Sequence, residues 1–187
     1  MRSSRGPGEV IVYAIVDKVK VLIDALRPPP RRVRYPSVAA LLAAIPAKFM
    51  PTGTVATGAQ MSGLEDWARL YLANEKISAE MAVTEVSAYY VSGLAAGALT
   101  VNGRQAAVQV RAWFPEGRRE ALLPLNVGAT ATITGRIRSS PSYSSLGGLS
   151  VHVGWDQTHA TFYLAIDGCW LVGFSPAPPA RGTSDTG

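Results

Sequence analysis

The residues of this chain best suited to chemistry are arginines and aromatic rings in its second half. Arg104, Arg111 and Trp113 share one alternating stretch, Arg118 and Arg119 follow it, and Arg136, Arg138 and Tyr143 come later. Guanidiniums pair with phosphate oxygens and rings stack on bases, so this set suits single-stranded nucleic acid. A second group, Arg27, Arg31, Arg32 and Arg34, is interleaved with prolines in RPPPRRVRYP. It reads equally as an auxiliary phosphate-binding arm or as a solubilising hinge.

Other candidates for chemistry are sparse. His152 and His159 flank a turn that holds Trp155 and Asp156, and two histidines with one cysteine make a poor metal-ligand set. Cys169 has no histidine beside it in sequence to serve as a base, so it reads as a small buried hydrophobe. Glu65 and Asp66 stand where a helix macrodipole favours carboxylates. Neither Gly103-Arg104-Gln105 nor Gly147-Gly148 is followed by the Gly-Lys-Ser/Thr of a phosphate loop. No catalytic residue, metal or cofactor is assigned, and the chain reads as non-enzymatic.

The elements that must position these groups follow from composition and periodicity. With 187 residues, 48% of them hydrophobic, the chain can bury a core, and its net charge of +5 is concentrated in residues 1–48 and 104–138. Val12, Ile15, Val16, Val19, Leu22, Ile23 and Leu26 fall on one helical face, so residues 9–26 are expected to form an amphipathic helix. Its apolar run, Val10 to Val16, is too short to cross a bilayer, and membrane contact is not the favoured reading. A Pro/Arg linker, residues 27–36, follows, then a short helix from Ser37 to Ile45 stopped by Pro46.

Ser62-Gly-Leu-Glu65 has the form of a capping box opening a helix over about Gly63 to Ala79, with Leu64, Trp67, Ala68, Tyr71 and Leu72 facing the core. Beyond Val83 the pattern turns to β. Strands are expected at Val83–Ser92, Ala98–Val101, Arg104–Phe114 and Ala129–Arg138, then Leu149–Val153 with Ala160–Val172. Asn102-Gly103 marks a hairpin. In the third stretch Val108, Val110 and Ala112 should point inward; in the fourth, Ala131, Ile133, Gly135 and Ile137. The chain therefore divides into 1–36, 37–61, a β domain with its leading helix at 62–173, and a disordered tail at 174–187.

Tyr71, Asn74 and Glu75 form a Tyr-x-x-Asn-Glu helix end, Leu125, Gly128 and Gly135 a spaced Leu/Gly stretch, and Asp167 and Cys169 a late acidic-thiol pair. With these motifs residues 64–172 resemble the tRNA-anticodon-like OB-fold family of small bacterial proteins. Met81-Ala82-Val83-Thr84 stands where many relatives have Tyr-x-Gly-Lys, and no lipobox cysteine stands near the start of the chain. The resemblance implies a mainly β fold with N-terminal helices, a five-stranded OB-like barrel preceded by a helical segment. Oligonucleotides usually lie across strands 2 and 3 of such a barrel. The expected function is a cytoplasmic, non-catalytic module that binds single-stranded DNA or RNA with little sequence specificity. The alternative is a protein-interaction or assembly module, acting through residues 9–26 and the barrel surface.

Overall fold

Period-two burial governs the middle of the chain, and in a computed structural model it produces a mainly β molecule with short helices. The structure describes residues 18–23, 26, 32–50, 58–96, 99–101, 104–138, 149–153 and 160–177. Helix α1 is Val38–Ala43, with the Ser37 hydroxyl accepting from the Ala40 N–H at 3.1 Å. This N-cap satisfies one of the donors that a helix start leaves open. Helix α2 is Gly58–Tyr71. Among the described residues seven strands follow: β1 Lys76–Val86, β2 Tyr90–Ala95, β3 Leu99–Val101, β4 Arg104–Trp113, β5 Thr130–Ile137, β6 Leu149–Val153 and β7 Ala160–Ser175. A 3₁₀ turn, Glu116–Leu122, links β4 to β5.

The strands form one mixed sheet in the order β3-β4-β2-β1-β5-β7-β6, and β7 also pairs with β4 in parallel. Hence β4, β2, β1, β5 and β7 each have a hydrogen-bonded neighbour on both sides. Following the register round this ring leads from Glu75 to Ile137, Ile166, Ala112, Val91 and back to β1 at Val86. One circuit has moved the whole length of β1. The short strands β3 and β6 pair with the ends of β4 and β7 that lie beyond β2 and β5.

Inward residues of every ring strand join one core. Ile77, Met81, Val110, Ala112, Ile133, Phe162 and Ile166 are all buried there. Leu41 of α1, Leu64 of α2 and Tyr35 belong to the same cluster, so residues on either side of residue 61 share it. Inward positions read from the alternation, Val108, Val110 and Ala112 with Ala131, Ile133, Gly135 and Ile137, are buried as expected.

The first strand and its helix depart from the sequence reading. Helix α2 is already running at Gly58 and ends at Tyr71, so Ser62 stands inside it and does not cap it. Lys76, Ala79, Glu80 and Met81 are good helix formers, yet the stretch pairs with β5 and opens β1. Burial of Ile77, Ala79, Met81 and Val83 at period two outweighs the local preference. The expected strand Val83–Ser92 is instead the end of β1, a turn and the start of β2, and Gly93 lies within β2. Tyr71 is exposed; it stacks on Trp67 at 6.2 Å between centroids while Leu64, Ala68 and Leu72 carry the buried face. At the other end β7 continues to Ser175, past the expected boundary at residue 173.

Candidate nucleic-acid interface

The outer face at the Trp113 end of β4 brings together rings and guanidiniums from three neighbouring segments. Trp113 and Tyr90 are direct cross-strand partners on β4 and β2, with ring centroids 6.0 Å apart and planes tilted by 50°. The Arg111 guanidinium lies 4.8 Å from the Tyr90 ring centre and 6.0 Å from that of Trp113. On the Trp113 side, the Arg138 guanidinium lies 4.7 Å from the indole centre. Cations over aromatic faces gain about 0.5–1 kcal/mol each at exposed sites, which offsets part of the cost of ordering a long side chain, up to about 2 kcal/mol.

Polar partners fix this row. Arg111 Nε donates to Ser92 Oγ at 3.0 Å, and its terminal nitrogen lies 3.7 Å from Glu85. The Tyr90 hydroxyl donates to Glu85 at 2.6 Å, a bond that raises the phenol above its ordinary pKa. Arg138 Nε reaches Asp167 at 3.2 Å. Partial burial raises the Asp167 carboxyl above its usual range, against the opposing pull of Arg138. Both ion pairs are substantially exposed, so each contributes little to stability and can be exchanged for another anion.

The residues singled out from sequence separate into distinct places. Arg111, Trp113 and Arg138 form the row. Arg119 stands near it, donating to the Phe114 carbonyl at 3.4 Å and lying 4.7 Å over Tyr89. Arg136 is exposed on β5 and donates to the Asn74 carbonyl at 3.4 Å. Arg104 opens β4 while Trp113 closes it, and 10 extended residues span about 30 Å, so Arg104 is not part of the row. Arg34 pairs with Glu75 at 2.6 Å, and Arg32 is exposed. Tyr143, Arg27, Arg31, His159 and the expected tail from residue 178 lie outside the described residues.

Arg118 is a correction, for it is buried rather than displayed. The 3₁₀ turn points it inward, where it donates to the carbonyls of Gly168 and Cys169 at 2.9 and 3.1 Å and lies 3.7 Å over Trp170. At this point the β5–β7 register shifts and Gly168 takes φ 62°. A guanidinium with several donors can serve the carbonyls of such an irregular strand.

Family models, curated proteins and solved structures contain no match to this chain. The site is therefore read from its own geometry. Tyr90 and Tyr89 are the residues that the sequence reading missed, because both lay inside an expected continuous strand. Their signal was the ring pair after Ser87 and Ala88, where a turn separates β1 from β2. Among the described residues no group of three or more His, Cys, Asp or Glu could hold a metal. Cys169 is fully buried, and burial pushes its thiol well above the ordinary value, with Asp167 adding to the effect. That is the environment of a packing residue rather than a nucleophile. Among the described residues no helix is long and apolar enough to cross a membrane.

Proposed function

We propose that the chain is a non-catalytic OB-like barrel that binds single-stranded DNA or RNA, with little base specificity, on the Tyr90–Arg111–Trp113–Arg138 row. The observation that carries the reading is the interleaving of two rings with two guanidiniums on one outer face. Bases stack on rings whatever their identity, while cations follow the phosphates. The cyclic strand order supports the barrel, because closing a sheet demands the stagger seen over one circuit of the register. Antiparallel neighbours with one parallel closing pair agree with a five-stranded Greek-key barrel of this class. The row then lies on the strands that oligonucleotides usually cross in such barrels.

The motif residues of the resemblance also agree with this reading. Asn74 takes φ 66° after α2, a conformation that asparagine tolerates better than most residues. A Cβ at Gly135 would lie 2.9 Å from both the Asp167 carbonyl oxygen and the Cys169 sulfur, so β5 and β7 can approach only over glycine. The same three positions, 135, 167 and 169, are those that the sequence motif marks.

Fluorescence anisotropy with labelled single-stranded and duplex oligonucleotides, at low and moderate salt, tests the function. Single strands should bind more tightly, with affinity falling as salt rises. Replacing Arg111 and Arg138 together with alanine should reduce the salt slope by about 1.4, at about 0.7 for each phosphate left without its cation. No binding at low salt, or an unchanged slope in the double variant, would discard the reading.

Exposed apolar residues favour a second reading, a protein-interaction module. Residues 18–23 are helical, and Val19, Leu22, Ile23 and Leu26 are 49, 57, 60 and 74% exposed. An amphipathic face of this kind suits a partner groove. Truncation tests it, but must stop before Tyr35, which is buried and bridges to Ile77 of β1. Removing residues 1–31 should leave oligonucleotide affinity within about twofold if the row alone binds. Loss of self-association or partner capture in light scattering would assign those residues the second role.

A further inference from the structure

We propose that the bound strand does not end at Trp113 but continues across β7 and β5 to the start of β1, over Arg136, Lys76 and Arg34. The inference rests on the function proposed for the Trp113 row and adds the length and direction of the site. Register is its basis. Arg138 joins the Trp113 ring to Asp167 of β7. Asp167 is the Cα partner of Arg136 on β5, and Arg136 is that of Lys76 on β1. Opposed residues in antiparallel pairs project to the same face. Their neighbours Ile166, Ile137 and Ile77 are buried, so Asp167, Arg136 and Lys76 share the outer face with Trp113. Arg34 lies next, its N–H bonded to the Lys76 carbonyl at 2.9 Å.

Charge along this path favours a polyanion. Asp167 is answered by Arg138, and Glu75 by Arg34. Among the described residues neither Lys76 nor Arg136 makes an ion pair, for Asp167, opposite Arg136 on β7, is held by Arg138, and the two cations stand directly opposite one another. Like charges facing each other across a ladder destabilise the sheet, so the facing of these two cations does not itself favour the fold. A phosphate backbone passing over both cations would offset that repulsion. Strands lie about 4.8 Å apart, so the four steps from Tyr90 on β2 through β4, β7 and β5 to Lys76 on β1 cover about 19 Å. A strand whose bases stay stacked at about the 3.4 Å per-strand rise of a helix crosses that length in about five or six nucleotides, within the roughly 4–16 that one OB fold covers.

The experiment uses the full chain and a labelled thymidylate trimer, hexamer and dodecamer at low salt. Wild type should bind the hexamer at least about tenfold more tightly than the trimer, with little further gain for the dodecamer. Lys76→Gln with Arg136→Gln should weaken the hexamer and dodecamer about tenfold, leave the trimer within about twofold, and lower the dodecamer salt slope by about 1.4. Lys48→Gln with Arg69→Gln, an equal charge loss on the helical segments, should leave the dodecamer within about twofold. Equal affinity of wild type for all three lengths, or an equal loss in the double variant at every length, would overturn the extension and leave the Trp113 row standing. Displacement of the dodecamer by polyglutamate at the same charge concentration would overturn it in favour of an acidic protein ligand. Failure of wild type to bind any of the three would remove the proposed function and the extension with it.

Discussion

Trp113→Ala should lower affinity for a single-stranded oligonucleotide by about 10- to 100-fold, while Trp113→Phe costs less than about threefold. Stacking of a base on an aromatic side chain is worth about 1–3 kcal/mol, or about 5- to 160-fold, which spans that range. The indole also supports two guanidiniums, Arg138 at 4.7 Å and Arg111 at 6.0 Å. Without the ring both lose a surface that orders them, and their hold on phosphate weakens with it. Phenylalanine keeps a face for the base and for at least one cation. Because ring and cations act together, Trp113→Ala combined with Arg138→Ala should cost less than the sum of the single losses. Anisotropy titration of the four proteins at one salt concentration gives the cycle, and thermal melts confirm that each is folded. A loss below about twofold for Trp113→Ala would show that bases do not stack there.

Part of this site was legible in the sequence because part of it is local. Alternation along Arg104 to Phe114 separated the inward Val108, Val110 and Ala112 from the outward Arg111 and Trp113, and β4 follows that pattern. The strand Leu149–Val153 and the helix capped by Ser37 are likewise short-range consequences of side-chain type. What joins the pieces is long-range. Arg138 meets Trp113 because β7 lies beside β4 in parallel, a pairing that no local period encodes. Tyr90 faces Trp113 only once the turn after β1 is in place, and that turn was hidden by the β-forming residues on both sides. Arg118 shows the converse. It looked like a surface charge beside Arg119, but Gly168 and Cys169 offer carbonyls that only the folded β7 presents to it. The Lys76 to Ala79 stretch misled for a related reason, since helix propensity is local and the partner strand β5 is some 50 residues away.

Gly93→Ala should destabilise the fold by about 3 kcal/mol or more and lower Tm by about 6–12 °C. A Cβ at Gly93 would overlap the carbonyl oxygen of Ala82 and lie 3.0 Å from its carbon, with Met81 Cγ at 3.1 Å. Methionine can swing aside, but the Ala82 carbonyl belongs to the backbone of β1. Gly93 is paired with Val83, just where the β1–β2 register shifts between Val83 and Glu85. The irregularity presses the two backbones together, so adding one methyl group forces β1 and β2 apart. Both strands are buried on their inner side, and separating them also loosens the packing of Met81 and Val91. Gly173→Ala is the matched comparison, because its Cβ would meet nothing within 4 Å. That change should be neutral or stabilise slightly, by restricting the unfolded chain. Thermal and urea denaturation of the two variants measure the contrast, and a Gly93→Ala midpoint within about 2 °C of wild type would mean that the strands have room to part. The same displacement reaches the binding row, since β2 carries Tyr90 and Ser92 and each touches Arg111. Oligonucleotide affinity in Gly93→Ala, measured well below its midpoint, should therefore fall more than it does in Gly173→Ala, tying the close approach of β1 and β2 to the placement of the guanidinium above them.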